Sequence, residues 1–393
     1  MRKWPTIKIA DEFDLQMGKT PARDNPAYWG GDHNWASIAD IARSGMYLSK
    51  TKETISQTAV DESGIKAVPP NTIVMSFKLS IGRTAITTDR MYTNEAIMAF
   101  LPHDLRAFDL HFLYHLFANR DWSEGCNKAV KGATLNKATL NAARIPKPDI
   151  LAQRTIAVTL DKLCGLVEKC DEQLERLGQL VKSRFVEMFG DSVANEKRWA
   201  VFSLKDITTK IGSGATPKGG KSSYAGNGVS FIRSMNVHDG FFKYNDLAHL
   251  TQAQEEELSN VIVSENDVLL NITGASVART CIVPSDVLPA RVNQHVAILR
   301  ADISRIDPVY LNRLLISHSF KQMLLNISES NGATRQAITK GQLERLDVPL
   351  PPLALQREFA AFVAKVDKLA FAARRRRDLA QQMYRAKIQE FFG

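Results

Sequence analysis

Apolar residues recur in steps of four and three at Ile156, Leu160, Leu163, Val167, Cys170, Leu174, Leu177 and Val181. Glu168, Lys169, Asp171, Glu172, Glu175 and Arg176 fall between them. This alternation keeps one stripe on one face, the heptad pattern of a helix packed lengthwise on another. It predicts a helix over Ile150–Phe189. Roughly forty residues at 1.5 Å each make a rod of about 60 Å. A second stripe follows at Leu355, Phe359, Phe362, Val366, Leu369, Ala373, Ala380 and Met383, interrupted by Arg376. Either helix alone would leave its stripe in water, so the two are expected to pair.

What flanks the helices is also repeated. Prolines precede both, in Ile145-Pro-Lys-Pro148 and Val348-Pro-Leu-Pro-Pro352. Both carry an early Gln-Arg pair, Gln153-Arg154 and Gln356-Arg357, and both close on Phe-Gly, at Gly190 and Gly393. A glycine there suits a left-handed C-terminal cap. Gly18-Lys-Thr-Pro21 matches Gly214-Ala-Thr-Pro217, and Thr72–Phe77 matches Asp267–Ile272, both apolar enough for buried strands. Gly-containing loops with a basic residue follow at 82–86 and 274–282, then Tyr92–Ile97 against Val292–Ile298. One helix is opened in each half by Asp109 and by Asp307-Pro308. Gly132-Ala-Thr134 and Gly332-Ala-Thr334 complete the set.

The chain therefore reads as an α+β tandem repeat. Two similar mixed α/β globules, residues 1–149 and 191–351, are joined by a central spacer helix, 150–190, and a C-terminal one, 352–393. The first helix delivers the chain to the second globule. The second must run back to cover its stripe, so an antiparallel pair about a pseudo-twofold axis is expected.

Charge changes the picture most. A net charge of +9 points to a polyanionic partner, nucleic acid ahead of a membrane surface. Cys126, Cys164, Cys170 and Cys281 form no CxxC pair, no window is long and apolar enough to span a membrane, and a reduced, cytoplasmic chain is expected.

Catalytic patterns are missing. Ala215-Thr-Pro-Lys-Gly-Gly-Lys-Ser222 loosely fits a phosphate loop, but no helix start follows it, and a loop touching a DNA backbone is the preferred use of its lysines. His111 and His115 stand four apart with no third ligand nearby in sequence, and read as an ordinary helix face, with no metal expected. There is no Gly-rich methyl-donor loop, Pro69-Pro70-Asn71 reverses the order of a base-methylation motif, and no nuclease cluster of carboxylates and lysine occurs.

What remains is a paired set of polar and basic loop residues able to bridge phosphates or read base edges. In the first half these are Lys19, Thr20, Arg23, Lys78, Arg83, Lys128, Lys131 and Lys137. In the second they are Thr216, Lys218, Lys221, Arg233, Asn271, Arg279, Asn293, Gln294, Arg335 and Gln336. The Arg374–Arg377 run is read as a solvated or partner-facing helix side.

The doubled order of globule, Gly-Ala-Thr, proline lead-in with Gln-Arg, and helix end such as Glu187-Met-Phe-Gly-Asp191 resembles one family across the whole chain: the DNA sequence-specificity subunits of type I restriction–modification enzymes. The first copy departs from the pattern at Lys147-Pro-Asp149. The resemblance implies two target-recognition domains, each reading half of a split, asymmetric site on double-stranded DNA. It implies helices that set the spacing and hold two methyltransferase subunits, with motor-nuclease subunits in the full complex. S-adenosylmethionine, ATP and Mg²⁺ would then belong to the partners, this chain being non-catalytic and without a cofactor. The alternative is a bivalent DNA-binding regulator, or a coiled-coil adaptor, without methyltransferase partners.

Overall fold

The long helices run Ile150–Phe189 and Leu353–Phe392 in the computed structural model. It describes residues 4–122, 127–129, 132–217, 223–329 and 336–393, with only the backbone of 127–129 and 132–134. The chain divides into two units in mid-helix: Met1–Asp171 with Arg374–Gly393, and Glu172–Ala373. Each unit thus holds the start of one long helix and the end of the other.

In unit one, a five-stranded sheet has the order Phe13–Met17, Ile97–Pro102, Ile73–Ser76, Thr84–Thr87, Tyr47–Leu48, antiparallel except for the last pair. In unit two, Thr208–Ser213, Val296–Ala301, Val268–Asn271 and Thr280–Ile282 form its antiparallel counterpart. A smaller sheet accompanies each: Glu53–Ile55, Trp29–Ala36, Tyr92–Thr93 in unit one, and Ala248–Leu250, Val229–Ile232, Ala290–Val292, Ile262–Val263 in unit two. The strand Trp29–Ala36 ends where Ser37 caps a helix over Ile38–Ser44. The expected helices start at Asp109 and Asp307, whose carboxylates accept the backbone N–H of Phe112 and Val309. Unit two adds a further helix, His318–Glu329, that the sequence did not separate.

The repeat reaches individual hydrogen bonds. Fully buried Gln153 and Gln356 each accept the N–H of the capping aspartate, Asp109 or Asp307, at 2.9 and 2.8 Å. Each also donates to a carbonyl of the proline lead-in, Pro148 or Pro351, and to that of Ala107 or Arg305. The Gln of each Gln-Arg pair is thus a latch fastening a long helix to its own globule. At the opposite helix ends, the Trp4 indole N–H donates to the Phe391 carbonyl at 3.1 Å, and that of Trp199 to Phe189 at 3.0 Å. Gly190 takes φ +76, the left-handed cap expected of it. Gln356→Ala orphans three backbone groups, at Asp307, Arg305 and buried Pro351, and is expected to cost unit two about 1–3 kcal/mol, measured by urea unfolding; an unchanged midpoint would show that the latch is idle.

Within each unit the helices run antiparallel. In unit two, Phe185 and Phe189 meet Phe359 with ring centroids 5.5 and 5.4 Å apart, Arg184 pairs with Glu358 at 3.1 Å, and Tyr310 stacks on Phe185. In unit one, Asp171 pairs with Arg377 at 3.1 Å. The first stripe faces inward as predicted, deeply at Ile156, Leu160, Cys170 and Val181. The second departs from prediction beyond Val366. Leu369 and Met383 stand exposed at 54% and 47%, and Ala370 is buried instead, while Ala373 and Ala380 are buried as the stripe predicts. Arg377, not Arg376, lies at the seam. Small residues carry the contact there, so size could not mark the face.

Candidate nucleic-acid interface

In both units the strand hairpin holds the backbone of one arginine in the same register. The N–H of Ser76 donates to the Arg83 carbonyl at 2.9 Å, and that of Asn271 to the Arg279 carbonyl at 2.8 Å. Just after each strand, Phe77 N–H donates to Ala96 and Ile272 N–H to His295, while Leu135 and Ile338 return to the carbonyls of Phe77 and Ile272. The Asn94 and Asn293 side chains each accept the N–H two residues on, at 3.1 Å, shaping the same turn in both units. The scaffolds match, but what they present differs. Lys78 in unit one stands where unit two has Thr273, and Ala96 where it has His295.

Around Arg279 the residues converge on a groove of about 850 Å³. Gly274, at φ +73, turns the hairpin loop, and its N–H donates to the Gln336 carbonyl. The Thr273 hydroxyl and His295 Nδ1 lie 2.5 Å apart. Ser234 and Met235 form the facing wall, on a turn fastened to the hairpin by the Asn271 amide, which donates to the Ser234 carbonyl at 2.9 Å. Arg279 is half-buried, and its guanidinium makes no ion pair among the described residues. A cation without an internal partner, beside hydroxyl and amide groups, is suited to phosphate oxygens or a guanine edge.

The predicted site residues divide sharply. Asn271 and Asn293 are buried, and their side chains brace backbone turns. Arg23 is also held internally: it pairs bidentately with Glu53 at 2.6 and 3.1 Å and lies 3.9 Å over the Trp29 ring. Arg233 donates to the Asp246 carbonyl and lies over Tyr224, and the Gln336 amide donates to Glu329. Thr20 donates to Glu95. Lys19, which bonds the Ser63 carbonyl, shares a groove of unit one with Lys137 and with Lys66, which the sequence did not single out. Arg83, Thr216 and Gln294 are exposed, and Lys78 is half-buried with its ammonium near the Phe77 ring. Lys128 lies on strand Asn127–Ala129, its side chain outside the described residues, as are Lys131, Lys218, Lys221 and Arg335 entirely.

Sequence reading also missed Ser234, Met235, Thr273, Ser276 and His295 of the groove. His295 was within reach, since it lies in a motif matched between the halves. His111 and His115 are likewise no ordinary helix face. Asp161 of the first long helix sits between them, 2.6 Å from His111 Nδ1 and 2.7 Å from His115 Nε2. The Tyr384 hydroxyl donates to His115 Nδ1 and accepts from Asn119, and Tyr47 donates to His111 Nε2. In the chain Asn119–Tyr384–His115–Asp161–His111–Tyr47 all four imidazole nitrogens have a hydrogen-bond partner. Burial pushes the His115 pKa down, against the pull of Asp161. Among the described residues no group of three or more His, Cys, Asp or Glu is placed to hold a metal ion, and no helix is long and apolar enough to cross a membrane.

Comparison with known proteins agrees with the doubled architecture. Residues 1–176 and 196–379 each match the family described as Type I restriction modification DNA specificity domain. The specificity subunit of the type I restriction enzyme MjaIX from Methanocaldococcus jannaschii is 25% identical over 384 residues, covering 92% of this chain and 86% of that one. That of EcoBI from Escherichia coli is 23% identical, over 67% of this chain and 59% of that one. The crystal structure of the type I S subunit from M. genitalium shares the fold with a TM-score of 0.62 at 13% identity, over 100% of this chain and 96% of that one. With its domain matched twice along nearly the whole length, the chain belongs to the type I restriction–modification DNA specificity family.

Proposed function

We propose that each unit reads one half of a bipartite, asymmetric target on double-stranded DNA, with the long helices fixing the interval between the halves. The observation that carries this reading is the pair Arg83 and Arg279, held in the same register on the same hairpin but flanked by different side chains. Equal backbone frames bring the loops to equivalent positions on a duplex, and unequal neighbours make them read different bases. The relatives named above are specificity subunits of restriction enzymes. In this reading two methyltransferase subunits dock on the helices, where Val158, Leu180, Leu369, Phe371, Leu379 and Met383 are exposed. Motor-nuclease subunits join them, and the partners carry S-adenosylmethionine, ATP and Mg²⁺. This chain contributes recognition without catalysis, in the cytoplasm.

Methylation mapping of the assembled complex tests both halves of the proposal. A four-residue helical insertion after Glu168 lengthens the rod by about 6 Å, roughly two base pairs; it should widen the unread interval and leave both half-sites intact. Arg279→Ala should relax or weaken one half-site only, by about 1–3 kcal/mol. Altered bases after the insertion, or equal losses at both half-sites from the arginine change, would contradict the reading.

A further inference from the structure

The duplicated frame allows one unit to be compared with the other. Counted from the capping aspartates, Arg313 of unit two stands where unit one has His115, and Ser317 where it has Asn119. Counted from the latch glutamines, Ala364 replaces Asp161, and Val181 replaces Tyr384. Unit two therefore places a cationic side chain where unit one has an imidazole, and lacks the carboxylate and phenol that bond that imidazole. An open pocket of about 320 Å³ lies there, floored by Val181, Phe185, Val186 and Ile316 and rimmed by Lys182 and Arg313.

The available acids are occupied or out of reach. Asp239 is taken by Lys321, and Asp191 by the Ser319 hydroxyl and the N–H groups of Val193 and Ala194. Asp367 attracts Arg313 but makes no ion pair with it. The guanidinium lies over Gly240, where an added Cβ would come within 3.3 Å of Nη1. It makes no hydrogen bond among the described residues. A half-buried cation without a partner, beside an apolar floor, favours a ligand with a carboxylate and an apolar body.

We propose that this pocket receives a carboxylate borne next to a leucine- or phenylalanine-sized side chain in a segment of a partner protein chain. The volume accommodates about two side chains, within the range of built sites. Val181, Phe185 and Val186 of the floor belong to the long helix on which the proposed function seats its partners, so the inference rests on that reading. The incoming acid takes the place that Asp161 fills in unit one.

The test uses the complex purified with its partner subunits, with the photo-crosslinking residue p-benzoylphenylalanine at Val186, which is 59% exposed. Irradiation should join Val186 to a partner peptide containing Asp or Glu beside a large apolar residue. Arg313→Gln should cut the yield about tenfold, with Arg313→Lys retaining most of it and methylated half-sites unchanged. The pocket assignment is overturned by a crosslinked peptide lacking an acid, by a yield indifferent to Arg313→Gln, or by no crosslink in a complex that still co-purifies. Failure of any methyltransferase subunit to co-purify overturns the proposed function itself, and this inference with it.

Discussion

Phe359→Ala is expected to destabilise unit two by about 3–5 kcal/mol. Phe359 is fully buried and is the residue through which the second long helix meets Phe185 and Phe189 of the first. Its removal opens a cavity walled by rigid aromatic rings and by Tyr310, whose hydroxyl is tied to the Pro349 carbonyl at 2.7 Å. Such a wall collapses poorly, which places the cost toward the upper end. By contrast Arg184→Ala, which breaks the exposed pair with Glu358, should cost about 0–1 kcal/mol. Hydrogen exchange resolved by peptide measures both, and a Phe359→Ala loss below about 1 kcal/mol would show that the helices do not depend on this cluster.

Asp161→Ala is expected to cost unit one about 2–4 kcal/mol, since it orphans the buried His115 N–H and removes the partner of half-exposed His111. The same network gives unit one a pH dependence. Burial lowers the folded pKa of His115 below its ordinary 6.5. Below that value the unfolded chain takes a proton that folded His115 refuses, so stability falls as pH drops, from 6.5 down to the folded pKa. Asp161 and Asp109 oppose that shift without cancelling it. Exchange rates of unit one should rise between pH 7.5 and 5.5 relative to unit two, which has Arg313 at this place, and His115→Gln should flatten the difference. A slope unaffected by that substitution would assign the titration elsewhere.

Periodicity revealed the long helices because each stripe repeats through many turns, and the doubled motifs revealed two related units. The seam at Ala370 and Arg377 was illegible: alanine fits a packed face and a solvated one equally, and an arginine paired with Asp171 looks like any charged surface residue. In the candidate site, Arg83 and Arg279 were found because repetition selects positions the frame demands. That filter also selected Asn293, which repeats Asn94 and braces a turn, while Asn271, with Ser76 at its place in unit one, is buried bracing another. The His111–Asp161–His115 network needed a carboxylate from a distant helix, which spacing along the chain cannot show.

The mid-helix division delays closure of unit one during synthesis. Tyr384, Ile388, Phe391 and Phe392, partly buried, pack against the core of unit one from the far end of the chain. When Asp171 leaves the ribosome, their place against Phe112 and His115 is still empty. At about 5–20 residues per second, the missing segment follows roughly 10–40 s later. Meanwhile an apolar flank of the half-made unit is open to chaperones and to neighbouring chains, so pausing or truncation ahead of residue 384 should produce aggregation of the amino-terminal unit even though its own globule is fully translated.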